Sequence, residues 1–122
     1  PASLKDVISV QSINQLITTP GSLAESISAT GEKVLTTLPH GTYDFISGSS
    51  IAAAEISGVV ALLLELKSDL SLAEVHSILQ KSKITSKDGI MSGVNANVAV
   101  NSLCESKKCP NELLSFAQIN PF

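Results

Sequence analysis

With 122 residues, 43% of them hydrophobic and 16% charged, the chain is one domain at most, can bury a core, and is too apolar for a disordered segment. A formal charge of -3 and the lack of any basic stripe give no support for nucleic-acid binding. Aromatic side chains make up only 3%, against a high alanine and aliphatic content, a mix suited to helices packed tightly on a sheet.

Val7-Ile8-Ser9-Val10 is a short β-branched run and reads as a buried strand. Residues 11–25 are polar and include Pro20-Gly21, which predicts a loop with room for a short strand near Ile13. Ser26-Ile27-Ser28-Ala29 is a second strand candidate, closed by Thr30-Gly31. Val34–Leu38 is a third, ended by Pro39 and the Gly41 turn, and Tyr43–Ser47 a fourth that runs into Gly48. A helix follows from about Ser50 to Lys67, apolar nearly all round and therefore expected in a core. Ser71-Leu72-Ala73-Glu74 has the form of a capping box and opens a second helix to about Lys81, with Leu72, Val75, Ile78 and Leu79 on one face. Asn95 is placed to cap a third helix carrying Ala96, Val98, Ala99, Val100 and Leu103. The tail from Pro110 has a short amphipathic piece around Leu113-Leu114 and Phe116 and is otherwise irregular.

Short strands followed by three helices is an unusual order for a self-contained α/β domain. It looks like the later portion of a larger parallel-sheet protein, and the Pro1-Ala2 start, without methionine or leader, reads as that of an excised or processed piece. No uninterrupted apolar run approaches the ~18 residues of a membrane span, the longest being Val59–Leu64. Cys104 and Cys109 flank Glu105-Ser106-Lys107-Lys108; a small disulfide loop and two free thiols both fit, and the disulfide would point to an oxidising compartment. This spacing is no metal signature without a second ligand pair.

Chemistry concentrates at Ser47-Gly48-Ser49-Ser50, just before the alanine run Ala52-Ala53-Ala54. Gly48 permits a sharp turn, and Ser50 falls at the positive end of a helix beside backbone N–H groups without helical partners. That is where a nucleophilic serine would be placed; the plainer alternative is a capping or first-turn serine without chemistry. His40 in the Pro39-His40-Gly41 turn and His76 on the second helix read as solvated histidines. Asp44 and Glu55 are the carboxylates nearest Ser50 in sequence, and neither is a strong candidate for its partner.

Gly48-Ser49-Ser50-Ile51-Ala52 resembles the Gly-Thr-Ser-Met-Ala nucleophile motif of the subtilisin-like serine proteases, the subtilases (peptidase S8). The likeness covers most of the chain. Pro1-Ala2 with Val7-Ile8-Ser9-Val10 is similar to the family's Pro-Ala and Val-Ile-x-Val strand, and Ala29-Thr30-Gly31 stands where Ala-Pro-Gly is usual. Gly41-Thr42-Tyr43 ahead of Ser47-Gly48, the helix from Ser57-Gly58 through Leu63, and Gly93-Val94-Asn95-Ala96 with Ala99-Val100 follow in the family's order. Ala54-Glu55 departs from it, since many members have Pro-His there.

The resemblance implies an α/β fold, with residues 1–122 forming the C-terminal segment of a subtilase catalytic domain. It implies that Ser50 is the nucleophile of a serine endopeptidase working through an acyl-enzyme, with Gly48 and Ser49 supporting the turn and the oxyanion. The family's chain order is Asp, His, Ser. The first two, and the oxyanion-hole asparagine, are therefore expected upstream of Pro1, and the chain alone is expected to be inactive. The resemblance further implies polypeptide substrates, secretion, calcium in the whole protein but no cofactor evident in these residues, and the preceding part of the domain as partner. Self-association of the uncovered chain is expected; neither nucleic acid nor a membrane span is. The alternative is a non-catalytic subtilase-like remnant or interaction module, motivated by Glu55 and the missing Asp and His.

Overall fold

The structure, a computed structural model, describes residues 4–13, 26–85 and 92–106. Its centre is a short parallel pair, β1 (Val10–Ser12) and β2 (Ile27–Ala29), in register Val10 to Ile27 and Ser12 to Ala29. Helix α1 (Ser49–Leu66) lies on both strands. Its buried residues Ala52, Ile56, Val59 and Leu63 are spaced four, three and four apart, so they form one stripe down the helix. That stripe meets Ile27 and Ala29 from β2, Val75 and Leu79 from α2 (Leu72–Lys81), and Ala99 from α3 (Ala96–Ser106) in a single core.

Two antiparallel hairpins complete the described chain. β3 (Val34–Leu38) and β4 (Thr42–Ile46) pair from Val34 opposite Ile46 to Leu38 opposite Thr42, joined by the 3-10 turn Pro39–Gly41. The turn is tight enough to put His40 at φ 66° and Gly41 at φ 74°. β5 (Lys83–Thr85) pairs with β6 (Ser92–Val94), and β6 rests against β2.

Capping follows the sequence closely. The Ser71 hydroxyl accepts from the Glu74 N–H at 3.3 Å, while the Glu74 carboxylate accepts from the Ser71 N–H at 2.8 Å, a complete capping box. Asn95 Oδ1 accepts from the Val98 N–H at 3.0 Å and so caps α3.

Three expectations shift. The first strand is Val10–Ser12 rather than Val7–Val10, because pairing, not β-branching, sets its limits: Ile27 N–H donates to the Ser9 carbonyl at 2.8 Å and Ile13 N–H to the Ala29 carbonyl at 3.1 Å. Leu4 and Val7 stay exposed. The β5–β6 hairpin was not foreseen, since Lys83-Ile84-Thr85 is too short to show a period. Finally, α1 is covered on one face only; Leu62 is 52% exposed. By length and composition this 18-residue helix would pass as a membrane span. Its buried stripe instead forms the centre of the core, the position of a core helix. Of the loop expected over residues 11–25, Gln11 and Ser12 belong to β1, close to the short strand expected near Ile13; residues 14–25 and the tail from Pro110 lie outside the described residues.

Candidate active site

Gly48 occupies the N-cap of α1 at φ 155° and ψ 156°, a region essentially closed to residues with a side chain. A Cβ there would also lie 3.3 Å from Ser50 Oγ. The Gly48 carbonyl accepts the first helical bonds, from Ile51 N–H at 3.1 Å and Ala52 N–H at 3.4 Å. Ser49 and Ser50 thus enter the first turn immediately after the bend, and the Ser50 side chain is exposed. N–H groups of a first turn have no carbonyl four residues back within the helix, and no acidic side chain occupies this one. The positive end of the helix therefore faces outward beside the hydroxyl, where developing negative charge is stabilised.

The bend is held from outside the helix. Gly48 N–H donates to the Gly31 carbonyl at 2.7 Å, and Lys33 N–H donates to Ser47 Oγ at 2.9 Å. Gly31 is wedged between the bend and β1: a Cβ on it would fall 2.7 Å from the Gly48 carbonyl oxygen and 2.8 Å from Ser12 Cβ. One turn into α1, partial burial pushes the Glu55 carboxyl above its ordinary range, a rise opposed by the Thr30 backbone N–H.

The other polar residues singled out in the sequence lie elsewhere or are engaged. His40 is at the tip of the β3–β4 hairpin, while the serine turn leaves its opposite end after Ile46. Five residues of strand separate the two, about 16 Å of extended chain. His76 is half-buried on α2, which follows the far end of α1. Asp44 Oδ1 accepts from the Phe45 N–H at 2.7 Å, within its own strand. Among the described residues no three His, Cys, Asp or Glu side chains gather in one place. Cys109 lies outside the described residues, so the Cys104–Cys109 loop is not placed. The Ser47 and Lys33 clasp on the bend went unforeseen in the sequence; the small-residue pair Ser47-Gly48 was its one signal.

The chain matches the profile of the Subtilase family (Peptidase_S8) over residues 1–110. It is 30% identical over 95 residues to Subtilisin-like protease 3 of Plasmodium falciparum, covering 70% of this chain and 12% of that protein. It is 41% identical over 61 residues to Subtilisin-like protease SBT3.16 of Arabidopsis thaliana, covering 49% of this chain and 8% of the relative. Among solved structures, the prenylagaramide maturation protease PagA superposes with a TM-score of 0.61 at 25% identity, over 84% of this chain and 44% of its own. The chain thus spans a small share of the length of the relatives it matches. With the α/β architecture and the glycine-bent serine turn already established, the match over residues 1–110 identifies the chain as a member of the subtilase family.

Proposed function

We propose that this chain is the C-terminal segment of a subtilase catalytic domain and supplies Ser50 as the nucleophile of a serine endopeptidase. The observation that carries the reading is the Gly48 bend, which delivers an exposed Ser50 into the first turn of α1. In the reaction, Ser50 Oγ attacks a peptide carbonyl while a histidine takes its proton and a carboxylate orients that histidine. The tetrahedral oxyanion is held in part by the Ser50 N–H. Collapse expels the amine, which takes the proton from the histidine, and leaves an acyl-Ser50 ester; water, deprotonated by the same histidine, hydrolyses the ester, and the proton returns to Ser50 Oγ. The histidine and carboxylate come from another part of the protein: His40 lies at the far end of a hairpin, and the Asp44 carboxylate accepts from the adjacent Phe45 N–H.

The whole protein acts on polypeptides and is secreted or extracytoplasmic, where Cys104 and Cys109 close a disulfide loop around four residues. The preceding part of the domain covers the open faces of α1 and the β3–β4 hairpin, where Leu62, Leu35 and Phe45 are exposed. The test is peptide hydrolysis by the full-length protein, by its Ser50→Ala variant and by residues 1–122 alone. The full-length protein should turn over, Ser50→Ala should lose at least ~10⁴-fold in kcat, and the 122-residue chain should be inactive. A well-folded full-length protein without turnover would favour the non-catalytic remnant instead.

A further inference from the structure

Nothing within Gly48 itself fixes the direction of the bend. A glycine at φ 155° and ψ 156° has many other conformations open to it, so its surroundings must hold it there. Ser50 follows two residues later, and whatever orients the bend orients its hydroxyl. Two hydrogen bonds reach the bend from one loop. Gly48 N–H donates to the Gly31 carbonyl at 2.7 Å, and one residue earlier Ser47 Oγ accepts from the Lys33 N–H at 2.9 Å. A single bond fixes a point and leaves rotation about it, whereas bonds at two successive residues also fix a direction. Gly31 is itself wedged against Ser12, so the loop that holds the bend is anchored on β1.

The Ser47 bond takes the place of a rung of the hairpin. The β3–β4 ladder ends with Val34 opposite Ile46, which makes Lys33 and Ser47 the next pair out. Lys33 stands at φ 49°, in the left-handed region, and a strand cannot continue through it. An N–H turned out of a ladder needs another acceptor, protein or water, and here the Ser47 hydroxyl supplies it. The side chain thus carries the hairpin one step past Ile46, to the residue that enters the bend. Of the two bonds that hold the bend, this is the one a side-chain substitution can remove, because the other runs between backbone groups.

We propose that Ser47 is a positioning residue for the nucleophile: its hydroxyl clasps the Lys33 amide, locks the end of the hairpin to the start of the bend, and so fixes the direction in which Gly48 delivers Ser50. The role in catalysis rests on the reading of Ser50 as nucleophile; the clasp itself does not. A hydroxyl displaced by about 1 Å from its attack position loses on the order of 10²-fold in rate. A support that acts only through the bend therefore lowers kcat and leaves KM nearly unchanged.

The experiment uses the full-length protein with Ser47→Ala, Ser47→Thr and Lys33→Asn. Ser47 and Lys33 are both exposed, so none of the three disturbs the core, and amide exchange in α2 verifies that each variant is folded. Ser47→Ala should raise exchange of the Lys33 amide about tenfold without changing α2, while Ser47→Thr, which keeps the hydroxyl, should stay close to wild type. Labelling of Ser50 by a fluorophosphonate, and kcat for a peptide substrate, should fall about tenfold in Ser47→Ala at nearly constant KM, and recover in Ser47→Thr. Lys33→Asn removes the charge but keeps the N–H, and asparagine tolerates a left-handed backbone, so it should label like wild type. Unchanged Lys33 exchange in Ser47→Ala would overturn the clasp, as would Ser47→Thr behaving like Ser47→Ala. A rise in KM at constant kcat would make Ser47 a substrate contact and not a positioning residue, and a Lys33→Asn defect equal to that of Ser47→Ala would assign the effect to the lysine charge. If even the wild type takes no label, the nucleophile reading fails and the positioning role with it, while Lys33 exchange still decides the clasp.

Discussion

Gly48 and Ser50 divide the work of the turn, and substitution separates them. Gly48 holds a backbone conformation that only glycine adopts easily, and its missing Cβ leaves room for Ser50 Oγ at 3.3 Å from the Cβ position. Gly48→Ala should therefore destabilise the protein by about 1–3 kcal/mol, read as a lower midpoint in denaturant unfolding, and should slow any reaction of Ser50. Ser50→Ala should abolish that reaction and leave the midpoint almost unchanged, because the exposed hydroxyl is a small part of the packing. A Gly48→Ala midpoint equal to wild type would mean that the bend relaxes without strain. Of this residue-scale picture, the serine, its glycine and the alanine run were legible in the sequence, because the turn is local. The clasp from Gly31 and Lys33 was not, because it joins positions 14 to 17 apart, one bond running between backbone groups and the other from the Lys33 N–H to the Ser47 hydroxyl.

At the scale of elements, α2 offers the clearest pH dependence. Hydrogen bonds from the Ser71 N–H and hydroxyl, with Lys67 at 3.1 Å, hold the Glu74 carboxyl at about 2, below the usual 4.5. The folded state thus prefers the carboxylate. Its contribution is present above pH 4.5 and is lost as pH falls from 4.5 towards 2. Glu55 works in the opposite sense: its folded value is raised, so its contribution is largest below pH 4.5 and fades as pH rises through that raised value. Stability measured from pH 5 to pH 2 should fall less steeply in Glu74→Gln than in wild type. An unchanged acid limb would remove Glu74 from this role. The capping box and the Asn95 cap were both readable before the fold was known, because each lies within a single helix turn. β1 and the β5–β6 hairpin were misplaced or missed, because three-residue strands are defined by their partners and not by their own pattern.

Taken whole, the described chain buries one stripe of α1 and leaves its other side open, with Leu62 52% and the hairpin's Leu35 and Phe45 59% and 62% exposed. The sequence showed a helix apolar nearly all round, and the fold explains half of it: the core takes Ala52, Ile56, Val59 and Leu63. Residues 1–122 by themselves should therefore associate, and light scattering should find assemblies larger than one chain; a clean, stable monomer would contradict that. The full-length protein should lack this tendency if the open faces are covered within its own domain. The central claim, that Ser50 is a nucleophile, is tested most directly by treating the folded full-length protein with a fluorophosphonate and mapping the adduct by peptide mass spectrometry. The account predicts a single adduct on the peptide containing Ser50, absent from Ser50→Ala and blocked by prior denaturation. No adduct at Ser50 in a well-folded protein would contradict it.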